Sequence, residues 1–335
     1  MPAIHAYAAK SAKQKLEPFD YEPGALGADE VEVKVTHCGI CHSDVAMIDN
    51  DWGMTKYPFV PGHEVIGTVA AVGSNVQHVK VGQRVGVGWQ SGSCGHCEWC
   101  ISGQENFCAE EKDTIIGRPG GWGDRVRTSW RFAIPIPDNV ASEHAGPLMC
   151  AGTTVFSPML HFGVTPVMRT AVVGIGGLGH LALQYLAKFG CDVTAISSSH
   201  GKEDEARQLG ADHFIATKDE GAMKKAKSSF DFILATISGG VNWAEYIDAL
   251  RPHGQLVIVG APEAEVKASL ATLIAAEKSI RGGRAGSPAD TAKMLDFTAR
   301  HGIKPMIETF PFKEVNAAVD RLRSGKARYR VVLVA

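Results

Sequence analysis

Cysteine, histidine and carboxylate residues fall into two groups whose spacing suits a metal ion. The first is Gly39-Ile40-Cys41-His42-Ser43-Asp44 together with Pro61-Gly62-His63-Glu64. A thiolate and an imidazole about twenty residues apart, each backed by a carboxylate, form a borderline-soft donor set suited to tetrahedral zinc. A zinc ion that does chemistry keeps one position open, so a third protein donor is needed. Cys150, within Leu148-Met149-Cys150-Ala151-Gly152-Thr153-Thr154, is the candidate. Taken singly, Cys41 and Cys150 read better as buried thiols and His63 as a hydrogen-bonded core residue.

The second group tips that balance. Cys94-Gly95-His96-Cys97-Glu98-Trp99-Cys100 is followed by Cys108, and four thiolates so placed close around one zinc ion with no room for water. Such a site does no chemistry; it ties down a lobe that has little core of its own. An iron–sulfur cluster or unrelated surface thiols are the rival readings. Six of the eight cysteines are then metal ligands, leaving Cys38 and Cys191 as buried thiols. That clustering points to a reducing, cytoplasmic compartment rather than to disulfides.

These donors need a scaffold, and the chain is long enough to supply two domains. It has 335 residues, 45% of them hydrophobic, and a net charge of −2. No run of basic residues forms a phosphate-tracking patch, so nucleic acid is not an expected partner. The amino-terminal segment Met1-Pro2-Ala3-Ile4-His5 lacks a targeting pattern, and no apolar run reaches the length of a membrane span.

Residues 31–37 alternate apolar and polar with β-branched side chains, the period of a half-buried strand leading into the Cys41 motif. Val65 to Val72 and Val81 to Val87 read as further short strands of a bent, β-rich domain, and helical periodicity is scarce before about residue 145. From Thr170 the pattern becomes alternating strand and helix. Strands are expected at Thr170 to Gly174, Asp192 to Ser197, His213 to Ala216, Phe230 to Ala235 and Gln255 to Gly260. Helices are expected at His180 to Phe189, Lys202 to Leu209, Asp219 to Lys227 and Trp243 to Leu250, which specifies a doubly wound parallel sheet.

Between its first strand and helix lies Gly174-Ile175-Gly176-Gly177-Leu178-Gly179, a dinucleotide fingerprint in the required context. The second strand should end on a carboxylate if the cofactor were NAD, to bind the ribose hydroxyls. It ends instead on Ser197-Ser198-Ser199-His200-Gly201-Lys202, hydroxyls and a cation where a 2′-phosphate would lie. NADPH is therefore expected over NADH. The alternative is that the serines cap the next helix and Lys202 is solvated.

In this order, the Cys41 and His63 motifs, the four-cysteine lobe, Cys150-Ala-Gly-Thr-Thr154, the glycine fingerprint and Arg328-Tyr-Arg330-Val-Val resemble the zinc-dependent medium-chain alcohol dehydrogenases. The resemblance covers the whole chain. Ser197-Ser198-Ser199 and Trp52-Gly53-Met54 are similar to the cinnamyl alcohol dehydrogenase branch, and within it to bacterial NADPH-dependent aldehyde reductases of broad range.

The resemblance implies an α/β chain with a GroES-like catalytic domain at 1–150, a Rossmann NADP-binding domain at 151–287 and a return to the catalytic domain at 288–335. The return would bring a crossing helix, Pro288 to His301, and a closing strand, Tyr329 to Val334. It implies two zinc ions per chain: a catalytic one on Cys41, His63 and Cys150 with Glu64 able to approach, and a structural one on Cys94, Cys97, Cys100 and Cys108. Asp44 would orient His63 and Ser43 would relay the substrate's proton. His42, Thr154 and Arg330 would touch the cofactor, and Trp52, Met54 and Trp89 would line the substrate pocket. A homodimer through Lys278 to Gly283 is implied as well.

The implied reaction is reversible reduction of aliphatic and aromatic aldehydes to primary alcohols. A narrow cinnamyl-type specificity is the nearest alternative, and a non-enzymatic NADPH-binding protein of the same fold is another. Many members carry a histidine five residues after the first zinc cysteine; here that position is Ala46.

Overall fold

The computed structural model describes residues 3–237, 240–260 and 265–335. Met1 and Pro2, part of the segment read for a targeting signal, lie outside the described residues. Two compact units result: Met1–Thr153 with Gly286–Ala335, and Thr154–Ala285.

The first unit is built on the strand Glu30–Ile40. Its β-branched Val31, Val33 and Val35 are buried in a core shared with Val65, Val69 and Val85. The strand pairs antiparallel with Val65–Val72 along one edge. Along the other edge Arg125–Ser129 covers its first half and Arg330–Val334 its second. Two register shifts against Val65–Val72, at Glu32/Val33 and Val35/His37, bend it as bulges do. Glu32 stands opposite Arg127, whose Nε donates to it at 3.0 Å, so this buried carboxylate is paired.

Register decides where the chemistry goes. Cys38 stands opposite Val65, so the end of one strand lies beside the start of the next. Cys41 and His63 sit just beyond those ends and are thereby neighbours, with the Gly39 amide donating to the Glu64 carbonyl at 2.9 Å.

Helix appears earlier than periodicity suggests. His42–Asp49 begins directly after Cys41, and its start is marked by Asp44, which accepts the Cys41 amide at 2.9 Å. Asn50, at φ 59°, ends it in the left-handed conformation. A cysteine in place of serine or threonine at the cap hid this start. Later, Ser142–Pro147 runs through a π-helical turn, Leu148–Gly152, into the helix Thr153–His161. The returning segment supplies the expected helix Pro288–His301 and a closing strand Arg330–Val334.

The second unit holds a six-stranded parallel sheet. Its order is His213–Ala216, Asp192–Ser197, Arg169–Val173, Phe230–Ala235, Leu250–Ile258 and Ser279–Gly282. Every neighbouring pair is parallel, and the order reverses at the first strand in the manner of the doubly wound dinucleotide fold. Ala171, Val172, Val173 and Ile233 are buried, as strands covered on both faces require.

Two helices are shorter than expected. Asp219 to Lys227 contracts to Ala222–Lys225, because Gly221, at φ 69°, breaks the backbone and the lysines leave little apolar stripe. Lys202 to Leu209 becomes a tight turn at His200–Lys202 and then Glu203–Gln208. The strand expected from Gln255 starts at Leu250, which pairs with Phe230 ahead of an irregularity in the ladder.

Candidate active site

Cys41, His63, Glu64 and Cys150 converge in the first unit with their ligand atoms all within 4.8 Å of one another. Cys41 Sγ is 3.9 Å from Cys150 Sγ, which is 3.3 Å from His63 Nε2. Tetrahedral zinc, with bonds of about 2.3 Å to sulfur and about 2.0 Å to nitrogen, sets its donors at similar separations. The donor set therefore fits the ion. Glu64 adds a second argument, since its buried Oε2 has no hydrogen-bond partner.

Each donor is held from a different element. Asp44, fully buried, accepts from the Cys41 amide at 2.9 Å through one oxygen. Its other oxygen accepts from the Gly62 amide and from His63 Nδ1–H, each at 2.9 Å. One carboxylate thus locks the helix start, the loop before His63 and the ring's orientation, so that Nε2 faces the thiols and offers its lone pair once a metal displaces the proton. Glu64 immediately precedes the strand Val65–Val72 and is tied by its carbonyl to the Gly39 amide, and the π-helical turn presents Cys150. Single π turns inserted in helices are common at functional sites.

Charge in the cluster is tightly balanced. The hydrogen bond from the Cys150 thiol pushes Cys41 well below the ordinary thiol range, outweighing burial, and His63 adds to the effect. Cys150 is pushed well up by the same bond and by burial. Burial opposes charge on His63, but the Asp44 carboxylate and Cys41 together outweigh it and hold the ring well above the usual imidazole range. Burial raises Glu64 to about 7 against the pull of Arg330. Arg330 is itself buried and donates to Glu64 Oε1, while its Nε has no partner. A divalent cation among these donors would displace their protons.

Ser43 lies beside the cluster, its Oγ 3.8 Å from Cys41 Sγ, while Ala46 one turn further on carries no acid or base. His42, at the first helical position, is exposed. Trp89 meets the His63 ring edge-on, with centroids 4.9 Å apart, and Trp52 meets Trp89 at 6.2 Å. Trp52 and Met54 are exposed.

In the same unit the four lobe cysteines also gather, with Cys94 Sγ 3.9 Å from Cys100 Sγ and all four sulfurs within 4.8 Å. Backbone amides aim at them: Cys97 and Cys94 donate to Cys94 Sγ and Cys108 Sγ, and Glu110 to Cys108 Sγ, each at 3.4 Å. The His96 and Cys97 amides lower Cys94 to about 6. Around these sulfurs the short ladder Gln90–Gly92 with Lys112–Asp113 and the helix Glu98–Ile101 leave Trp99, Ile101 and Phe107 exposed. The lobe's large apolar side chains lie at the surface, where Trp99 meets Phe107 edge-on at 5.8 Å.

In the second unit the glycine fingerprint has the expected backbone. Gly174 turns at φ 88°, and a Cβ on Gly179 would lie 1.8 Å from the Gly174 carbonyl, so helix and strand approach as only glycine allows. Gly176 and Gly177 are half-buried, and Leu178 precedes the helix Gly179–Phe189. A residue missed in the sequence supports the turn: fully buried His180 donates through Nδ1–H to the Gly176 carbonyl at 2.9 Å. It is a polar side chain in an apolar helix, which was the available signal.

Beyond the second strand, Ser197 is half-buried and Ser198 and Ser199 are exposed. Lys202 Nζ reaches back to the Ile175 carbonyl in the fingerprint turn. The nearby acids face elsewhere: Glu203 and Asp219 both bind His200, each at 2.9 Å, and raise its pKa. Serines and a lysine therefore stand at the end of this strand, a set that fits a 2′-phosphate. Thr154 lies just beyond the π turn, in the first turn of Thr153–His161.

Comparison with known proteins agrees with this architecture. Residues 27–138 match the family described as alcohol dehydrogenase GroES-like domain, and residues 177–300 match that described as zinc-binding dehydrogenase. The chain is 49% identical to aldehyde reductase AdhA of Synechocystis over 98% of both chains. It superposes on a cinnamyl alcohol dehydrogenase of Sorghum bicolor with a TM-score of 0.94 at 40% identity, covering 99% of this chain and 98% of that one. A Helicobacter pylori cinnamyl alcohol dehydrogenase complexed with NADP(H) gives 0.90 at 30% identity, covering 99% and 98%. The chain belongs to the zinc-dependent medium-chain alcohol dehydrogenase family and is an oxidoreductase acting on alcohols and aldehydes.

Proposed function

We propose that this chain reduces a broad range of aldehydes to primary alcohols with NADPH, using catalytic zinc on Cys41, His63 and Cys150 and structural zinc on Cys94, Cys97, Cys100 and Cys108. The observation that carries the reading is the cluster of two half-buried thiols about a buried imidazole at tetrahedral spacing, with the unpartnered Glu64 oxygen beside it. When bound, zinc supplies polarisation of the substrate oxygen and NADPH supplies hydride. The chain's own groups do the rest. Asp44 holds His63 in the ligating tautomer, Arg330 balances Glu64, and Ser43 holds the proton destined for the substrate oxygen. With Ala46 in place of a base, that proton leaves by another route.

In this reading residues 1–150 and 288–335 form the catalytic domain and 151–287 the NADP-binding one. His42, Thr154 and Arg330 contact the cofactor, as do Gly174, Gly176, Gly177, Leu178 and Gly179. Ser197, Ser198, Ser199 and Lys202 take its 2′-phosphate. A charge-assisted hydrogen bond contributes about 1.5–3 kcal/mol, or about 10- to 100-fold in preference. Ser199→Asp should therefore cut the NADPH/NADH ratio of kcat/KM by at least about 10-fold. An unchanged ratio would remove the assignment.

Trp52, Met54 and Trp89 form the substrate wall. An apolar wall separates chain lengths by only about 1–3 kcal/mol per methylene, hence the breadth. The edge-on aromatic pair Trp52–Trp89, with the likeness to cinnamyl alcohol dehydrogenases, favours narrow aromatic specificity as a second reading. A panel of aliphatic and aromatic aldehydes decides between them, one sharply preferred aromatic aldehyde selecting the second.

The chain is proposed to act in the cytoplasm as a homodimer. Ser279–Gly282 is the outer strand of its sheet, and Leu270 and Ile274 of the helix Leu270–Ala275 are exposed. A monomer in light scattering would remove the dimer.

A further inference from the structure

Cys41 and His63 are fixed by strand register and by Asp44, but Cys150 has no such support. The bonds of its sulfur run to Cys41 and His63, themselves members of the cluster. Its position depends on the π turn Leu148–Gly152, where the regular helical ladder is interrupted. We infer that Thr291, acting through Thr153, is the positioning residue that holds this turn and so places the third metal donor; the inference rests on the zinc reading above.

Thr153 follows the turn directly, and its Oγ1 lies 3.1 Å from Thr291 Oγ1. The same oxygen accepts the Gly286 amide at 3.2 Å, where the returning chain enters the first unit. Thr153 and Thr291 are 3% and 6% exposed, so water is a poor substitute for either hydroxyl. Thr291 belongs to the helix Pro288–His301, whose start is locked by Ser287 and Asp290 exchanging bonds at 3.2 Å.

Three residues on, Met294 is fully buried and shares a face with Thr291. A Cβ on Gly152 would come within 3.1 Å of Met294 Sδ, so the turn is keyed closely to this helix face. Removing the hydroxyl pair frees the turn to shift. A shift of a few tenths of an ångström at Cys150 is felt by an ion with fixed bond lengths.

The test uses the full chain loaded with zinc, and separately with cobalt in the Cys41, His63 and Cys150 site. Thr291→Val and Thr153→Val remove the bond from either side; Thr291→Ser keeps it. Metal content after exposure to a chelator, and the visible spectrum of the cobalt form, are the readouts. The valine variants should hold the cluster ion about 10- to 100-fold more weakly, as lost outer partners of metal ligands do. They should keep the four-cysteine ion and change the cobalt spectrum, while Thr291→Ser should match wild type.

A folded valine variant with wild-type retention and spectrum overturns the inference. So does a serine variant that loses the ion as fast as valine, since packing would then be the cause. Collapse of the whole fold in both valine variants overturns it too, making the pair a determinant of the fold. Wild-type protein that holds only the four-cysteine ion overturns the zinc reading itself, an outcome distinct from these.

Discussion

Replacing Cys150 by alanine is expected to lower kcat/KM for an aldehyde by about 1,000-fold or more while leaving the protein folded. Charge stabilisation by a metal at the reacting oxygen amounts to several kcal/mol, and about 4 kcal/mol corresponds to that factor. Cys41 and His63 would remain in place, because strand register and Asp44 hold them independently of Cys150. Cys41 and His63, even with Glu64 beside them, lack the second thiolate and hold zinc more weakly, so the variant should carry one ion where wild type carries two. Metal analysis and steady-state kinetics on the same sample check both halves. Full activity in a variant with one ion would show that the cluster is not the reaction centre.

Cys100→Ser is expected to have the larger effect on stability. In the lobe, Ile101 is exposed, Trp99 and Phe107 pack on each other at the surface, and the ladder Gln90–Gly92 with Lys112–Asp113 is short. Little apolar burial holds this segment, so the ion supplies its folding energy, which in small zinc domains reaches about 10–16 kcal/mol. Losing one of four thiolates should open residues 94–108 to limited proteolysis and release one zinc ion. The cluster at Cys41 should keep its metal. Protease resistance equal to wild type would mean that the lobe folds without its ion.

Both metal groups were legible because their residue types have few other uses at such spacing: four cysteines near together, and cysteine and histidine each followed by a carboxylate. The second unit was legible because strand and helix alternate with clear periods and a glycine fingerprint falls between them. Short elements blurred. His42–Asp49 begins on an unusual cap and carries polar residues, and Ala222–Lys225 is interrupted at Gly221.

What stayed hidden were partners brought together from far along the chain. Arg330 and Glu64 are 266 positions apart, and Thr153 and Thr291 are 138 apart. No local pattern announces such pairs. Arg330 illustrates the difference: the sequence offered a guanidinium for a phosphate, and the fold adds that it balances the Glu64 carboxylate. Asp44 is similar, since a supporting role for His63 was legible but not its simultaneous hold on the Cys41 and Gly62 amides.

Zinc-dependent reduction of an aldehyde by NADPH would be followed as loss of the reduced nicotinamide's near-ultraviolet absorbance. Benzaldehyde or hexanal would be supplied with NADPH and with NADH in parallel, with and without a zinc chelator. Rapid loss is expected with NADPH, little with NADH, and none once the chelator has removed the cluster ion. Silence with both cofactors in protein shown to hold two zinc ions, or turnover indifferent to their removal, would contradict it.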